Sequence, residues 1–255
     1  MTAPLLVEGQ GDIAVLRLNR PDKRNAVNDA LIAAIADWFS EPPAGVRVVV
    51  LAGVGDHFSA GLDLAEHVER APAETMRHSR SWHEALDKVQ FGGLPVVAAL
   101  KGGVIGGGLE IAAAAHVRVA EPSTFFQLPE GRRGIFVGGG ATVRVARIIG
   151  ADRMTEMMLT GRRYGAEEGL RLGLAHHLVG AGEAEAKALE LAAQIAGNAP
   201  LSNYMIIQAI ARIADMPAEG GLFAESMAAA LAQTSEDAKA GLAAFLAKKD
   251  ASFRK

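Results

Sequence analysis

Three short segments hold residue types that could do chemistry together. The first is Gly106-Gly107-Gly108-Leu109-Glu110, which follows a Val/Ala-rich stretch and opens a helical pattern. Successive glycines at a helix start leave backbone N–H groups open to a ligand, with no side chains to block its approach. The positive end of the helix dipole then favours an anion or a developing oxyanion. Glu110 stands three residues after Gly107 and shares its helix face, so a carboxylate lies beside that donor. The same residues would serve equally as a Gly-rich turn needed for close packing. No GxxxxGK[ST] loop occurs, and no GxGxxG stands in register with a βαβ unit, so a nucleotide reading is weak.

The second segment is Phe58-Ser59-Ala60-Gly61-Leu62-Asp63-Leu64. Its small residues let a further backbone N–H face a ligand. Ser59 lacks a GxSxG elbow, which argues against a serine hydrolase. The third runs Leu128-Pro129-Glu130-Gly131-Arg132-Arg133-Gly134 and continues into Val137-Gly138-Gly139-Gly140. A loop glutamate is usually just solvated. Beside an oxyanion-type turn that already has a carboxylate, Glu130 gains weight, because two converging carboxylates suit general acid–base work. The seven histidines show no metal pattern, and there is no HExxH. His116, after an Ala run, reads as a core residue or a support for the site rather than a ligand.

The elements that must position these segments alternate in the first half. Residues 5–8 and 13–18 flank a turn at 9–12 and predict a hairpin. A helix is expected over 29–39 with Asn28 as its N-cap. Buried strands are expected at 46–51 and 95–100, with a long helix over 65–89 between them. A helix opens at Gly106, and a short strand follows at 117–120. The repeating strand–loop–helix order predicts an α/β class with mostly parallel strands. From 141 to 249 the pattern is helical almost throughout. The expected organisation is an α/β core over 1–199 and a helical region over 200–255.

Composition bounds the function. The chain has 255 residues, of which 50% are hydrophobic and 22% charged, which is enough apolar material for a core. A net charge of −3 carries no basic excess for nucleic acid. The absence of cysteine removes disulfides, thiolate zinc sites, iron–sulfur clusters and cysteine nucleophiles. No apolar run reaches the ~18–20 residues of a membrane span, and residues 1–11 look like no targeting segment. The expectation is a soluble, cytoplasmic protein that binds neither nucleic acid nor membrane.

In order and spacing, these segments resemble the crotonase superfamily, the enoyl-CoA hydratase/isomerase family. The resemblance begins at Leu18-Asn19-Arg20-Pro21-Asp22-Lys23-Arg24-Asn25-Ala26 and runs through 58–63, 106–110 and Pro129-Glu130. It extends to Met158-Leu159-Thr160-Gly161, Ala166-Glu167-Glu168 and Gly173-Leu174. It implies a crotonase-like spiral of ββα turns with a helical C-terminal trimerisation region, assembled as a homotrimer or a dimer of trimers. The implied substrate is an acyl-CoA thioester, with no cofactor beyond the CoA of the substrate and no metal.

By resemblance, the backbone N–H groups of Leu62 and Gly107 hold the thioester oxygen. Glu110 activates water for attack at the β-carbon, and Glu130 protonates the α-carbon. Lys23, Arg24 and Ala26, with Ala60, Asp63 and Leu64, are implied to line the CoA site. Lys248 would meet the CoA phosphates or simply complement a helix C-terminus with Lys249, and Phe245 would close the acyl end or pack the trimer. Both glutamates are present and no Asp lies between Gly131 and Ile149, which favours a hydratase. Double-bond isomerisation or decarboxylation on the same site, and a non-catalytic acyl-CoA-binding protein, are the alternatives.

Three departures from the family pattern stand out. His116 replaces a frequent Asp, the turn at 137–141 lacks its proline, and Arg132 and Arg133 sit next to Glu130. An arginine facing the pocket would lower the pKa of Glu130 and could bind a polar or carboxylated acyl group.

Overall fold

A computed structural model describes residues 3–66, 68–249 and 253. Residues 1–2 of the N-terminal segment, His67 of the expected 65–89 helix, and 250–252 and 254–255 of the C-terminal region lie outside the described residues. In chain order the elements are β1 (Leu5–Gln10), β2 (Ile13–Leu18), α1 (Asp29–Ser40), β3 (Val48–Gly53), α2 (Pro72–Phe91), β4 (Val96–Leu100) and β5 (Gly103–Ile105). There follow α3 (Gly107–Ala114), β6 (Val117–Ala120), β7 (Phe125–Gln127), α4 (Ala141–Ile149), α5 (Ala151–Thr160), β8 (Tyr164–Gly165) and α6 (Ala166–Arg171). Last come β9 (His177–Leu178), α7 (Ala184–Ala196), α8 (Pro200–Ile213), α9 (Ala218–Gln233) and α10 (Glu236–Leu246).

The larger sheet has the order β1-β2-β3-β4-β6-β9, parallel throughout except for the β1–β2 hairpin. Its central strands β3 and β4 are buried along their whole length. Side chains alternate between the faces of a strand, so each face is apolar. On one face Val49, Leu51, Val96, Ala98 and Leu100 pack with α1, α2 and α3. On the other, Val48, Val50, Val97, Ala99 and Val119 meet Ala184, Ala188, Ala192 and Ala196 of α7. The four-residue spacing puts those alanines on one helix stripe, and their small size brings α7 close to the sheet.

Several expected boundaries move. The hairpin turn shrinks to Gly11-Asp12, because strand pairing continues to Gln10↔Ile13 beyond the last apolar residue of β1. The helix expected from residue 65 starts at Pro72, whose ring fixes the first turn and holds Ala71 extended at ψ 154°. Glu74 closes that start by accepting the Ala71 N–H at 3.1 Å. A second sheet, β5-β7-β8, was not expected. Its strands have only two or three residues each, too short for a period-two pattern. The Asn28 N-cap is present, with its side chain accepting the Leu31 N–H at 3.0 Å. Among the described residues no helix is long and apolar enough to cross a membrane.

Candidate active site

Two backbone segments are clamped side by side at the carboxyl ends of the strands. The Ser59 N–H donates to the Gly103 carbonyl, and the Ile105 N–H donates to the Ser59 carbonyl, each at 3.0 Å. This bridge ties residues 58–62 to β5 and so to the start of α3. Val27 grips the other side. Its N–H donates to the Gly61 carbonyl at 2.7 Å, and its carbonyl accepts the Asp63 N–H at 2.8 Å. With its neighbours engaged by Val27, Leu62 turns its own N–H the opposite way. Gly107 is the first residue of α3, where an N–H has no acceptor within the helix. Neither N–H has a hydrogen-bond acceptor among the described residues.

The approach demands glycine. Gly61 has φ +87°, and a Cβ there would stand 2.7 Å from the Ile105 carbonyl oxygen and 3.3 Å from the Gly107 nitrogen. A Cβ on Gly108 would come within 2.6 Å of Ser59 Cβ. Ser59 itself is fully buried, and its Oγ donates to the Asn25 carbonyl at 2.7 Å. It joins two loops and has no part as a nucleophile.

Glu110 lies in the first turn of α3 and is 4% exposed. Its Oε1 accepts the N–H of Gly139 at 2.7 Å and of Ala141 at 3.1 Å. The carboxylate therefore sits at the N-terminus of α4, where the helix dipole favours its charge. The glycine turn exists for this grip: a Cβ on Gly139 would lie 2.6 Å from Glu110 Oε2. Burial pushes the Glu110 pKa up, opposed by those two N–H groups and by the charge of Arg144.

Glu130 opens a short 3-10 turn after β7 and is 6% exposed. Its Oε2 is buried without a hydrogen-bond partner. Burial is the main reason its pKa rises to about 7, and the Glu110 charge adds to the rise. Its own backbone N–H and Arg133 act the other way, and they lose. Arg133 does pull the Glu130 pKa down, as expected of a nearby arginine, but burial outweighs it. Arg132 turns away to the Thr160 carbonyl, and neither Arg132 nor Arg133 lines the cavity beside Glu130.

That cavity has a volume of about 720 Å³. Leu62, Gly107, Glu110 and Glu130 share its wall with the apolar residues Met76, Trp82, Ile135, Phe136 and Val137. Sequence reasoning missed Trp82 and Ser79. The Ser79 Oγ donates to the Gly138 carbonyl at 2.6 Å, steadying the turn that holds Glu110. Both lie on α2, whose residues carry no motif, and only their i,i+3 spacing on one helix face could have flagged them.

The other expected residues lie outside the cavity wall. Lys23 Nζ donates to Asp63 Oδ2 at 3.0 Å and to Glu66 Oε1 at 2.7 Å, and Arg20 Nη2 reaches the same two carboxylates. Burial raises the pKa of Asp63, but hydrogen bonds and charge from Lys23 and Arg20 outweigh it and hold it near about 2. The Arg24 carbonyl accepts the Ala60 N–H at 2.9 Å, Ala26 is buried, and Leu64 is exposed. These residues tie together the loops at 20–27 and 59–66. Asp63→Asn should therefore reduce stability by about 1.5–3 kcal/mol near neutral pH, read by urea unfolding. The contribution exists above pH 3.8 and fades as pH falls towards about 2. An unchanged unfolding midpoint would contradict it. Phe245 is 77% exposed on α10, and Lys248 follows that helix with φ +53°. His116 acts in the core: Nδ1 accepts the Val96 N–H and Nε2 faces the Gln90 carbonyl, each at 2.9 Å. Burial lowers its pKa, in keeping with a neutral ring.

Two unengaged N–H groups and two buried glutamates on one largely apolar cavity could hold a carbonyl oxygen and move protons beside it. The family model described as enoyl-CoA hydratase/isomerase matches residues 8–255. The chain belongs to that family. Enoyl-CoA hydratase EchA19 of Mycobacterium tuberculosis is 31% identical, over 98% of this chain and 96% of its own. The 2,3-dehydroadipyl-CoA hydratase of Escherichia coli K12 is 31% identical, over 98% of both chains. A crystal structure from Rhodopseudomonas palustris CGA009, of a protein named as a candidate enoyl-CoA hydratase, is 51% identical with a TM-score of 0.94. It covers 96% of this chain and 95% of that one. The chain is accordingly an enzyme of the enoyl-CoA hydratase class, and the family implies an acyl-CoA thioester as substrate.

Proposed function

We propose that this enzyme adds water across the 2,3 double bond of an enoyl-CoA thioester. One observation carries the reading: of two buried glutamates on one wall, one is gripped by two N–H groups and the other has an unpartnered Oε2 and a pKa near about 7. The N–H groups of Leu62 and Gly107 receive the thioester oxygen. As the β-carbon accepts a nucleophile, charge moves onto that oxygen, and fixed dipoles stabilise it with no reorganisation. Glu110, ionised, takes a proton from water as the oxygen bonds to the β-carbon. Glu130, protonated, gives its proton to the α-carbon. One water is consumed, and the proton gained by Glu110 balances the one lost by Glu130.

The apolar wall of Met76, Trp82, Ile135 and Phe136 suits an acyl chain. The reading calls on no cofactor beyond the CoA of the substrate. The family pattern and the exposed apolar residues Ile206, Ile210, Leu222, Phe223, Leu242 and Phe245 on the C-terminal helices support a homotrimer or a dimer of trimers. In such an assembly Phe245 and Lys248 would serve a neighbouring subunit's acyl and CoA-phosphate ends. Lys23, Arg24, Ala26, Ala60, Asp63 and Leu64 would border the CoA. A cytoplasmic setting fits this chemistry.

The proposal predicts a pH signature. Glu130 must carry a proton, so kcat/KM should fall as pH rises through about 7. A profile flat into the alkaline range would contradict Glu130 as the acid. Product mass tests the reaction type. Crotonyl-CoA should gain one water, whereas isomerisation of an enoyl-CoA leaves mass unchanged and decarboxylation loses carbon dioxide. A product of unchanged mass from every enoyl-CoA offered would overturn the hydratase reading.

A further inference from the structure

The glycine turn that grips Glu110 is itself held from behind by one charged side chain. Arg144, in the first turn of α4, is 7% exposed. Its Nη1 donates to the Gly139 carbonyl at 3.2 Å, and the N–H of that same residue donates to Glu110 Oε1 at 2.7 Å. A single residue, Gly139, thus links the guanidinium to the carboxylate through its two flanking peptides. The other edges of Arg144 are fixed by α2: Nε donates to Gln90 Oε1 at 2.7 Å and Nη2 to Asp87 Oδ1 at 2.6 Å. Gly140 makes room for the reach, since a Cβ there would lie 2.4 Å from Arg144 Nη1. Burying a guanidinium is costly unless its donors are satisfied, and here every edge of the fork is used.

We propose that Arg144, anchored by Asp87 and Gln90, is a positioning residue for Glu110, fixing the 138–141 turn so that Oε1 is held and Oε2 is left for water. This rests on the reading of Glu110 as the base. The planar fork fits the role: it braces a carbonyl and two side chains from three separate nitrogens in a fixed plane, whereas an ammonium's donors all radiate from one nitrogen. Charge acts in the same sense. The charged and titratable groups around Glu110 are Glu130 from the 130–133 turn and Arg144 from α4, with Asp87 and His83 of α2 and Arg147 of α4 behind Arg144. Arg144 is the cation that favours ionised Glu110. Removing it moves the acidic limb of the rate profile, where the base gains its proton, to higher pH.

The test compares Arg144→Gln, Arg144→Lys and Asp87→Asn with the parent, using crotonyl-CoA and following kcat, KM and the acidic limb of kcat/KM. Arg144→Gln should lose about 10–100-fold in kcat, as for a base displaced by a fraction of an ångström to an ångström, with KM within about threefold. Its acidic limb should lie at higher pH. Arg144→Lys should recover part of the rate and keep the limb nearer the parent's. Asp87→Asn changes a side chain that is 60% exposed, so it should fold normally and lose a smaller factor in kcat. If Arg144→Gln does not fold, the other two variants decide. Parental kcat in both Arg144→Lys and Asp87→Asn would overturn the proposal, as would a rate loss with an unmoved acidic limb in Arg144→Gln. Glu110→Gln separates the two levels of the account. Parental activity there removes the base reading itself. An inactive Glu110→Gln beside parental Arg144→Lys and Asp87→Asn removes only the role of Arg144.

Discussion

Glu130→Gln should lower kcat for hydration of crotonyl-CoA by about 10²–10⁴-fold, the usual contribution of a positioned acid–base group. The amide has nearly the same shape as the protonated acid but cannot give up a proton to carbon. Thioester affinity should stay close to that of the parent, because the N–H groups of Leu62 and Gly107 are untouched. Stability should not fall. The parent carboxyl places Oε2 in a buried position without a partner, and its pKa near about 7 records that the environment resists its charge. A neutral amide avoids that cost at alkaline pH. Activity within about tenfold of the parent would remove Glu130 as the acid.

Loss of the Gly107 donor is expected to be comparably severe. Gly107→Pro deletes the N–H and should cost about 10²–10³-fold in kcat, as removal of an oxyanion donor typically does. Proline at the first position of a helix is tolerated, so α3 itself should form. Crowding is the confounding effect, because any Cβ at Gly107 would stand 2.9 Å from Trp82 Cζ3. Gly107→Ala supplies the control: it has the Cβ and keeps the N–H. The drop from the alanine to the proline variant isolates the donor. Equal kcat in the two variants would show that the N–H of Gly107 stabilises no oxyanion.

Much of this site was legible in the sequence because its parts are local. Gly107 and Glu110 share a helix turn, and the glycines beside them carry their own conformational signature. The parallel sheet was legible too, since Val48–Gly53 and Val96–Leu100 are apolar runs of strand length. What escaped depends on distance. Nothing near Gly139 says that its N–H will meet a carboxylate 29 positions earlier, nor does Ser79 announce its bond to Gly138, 59 positions later. The net direction of the Glu130 shift was hidden for the same reason. Adjacent arginines are visible in a sequence, whereas the burial that outweighs them belongs to the assembled cavity. The strands of the small sheet were too short to show a period, yet β5 is what delivers the Gly106 turn to the site.

The central claim is that two glutamates of opposite protonation add water to an enoyl thioester held by two backbone N–H groups. The most direct test follows the loss of enoyl-thioester absorbance from crotonyl-CoA with the parent enzyme, Glu110→Ala and Glu130→Ala. Rapid loss with the parent, reduced at least about 10²-fold in each variant, is the predicted result. A parent that binds CoA thioesters but leaves the absorbance unchanged, or turnover that survives loss of either glutamate, would contradict it.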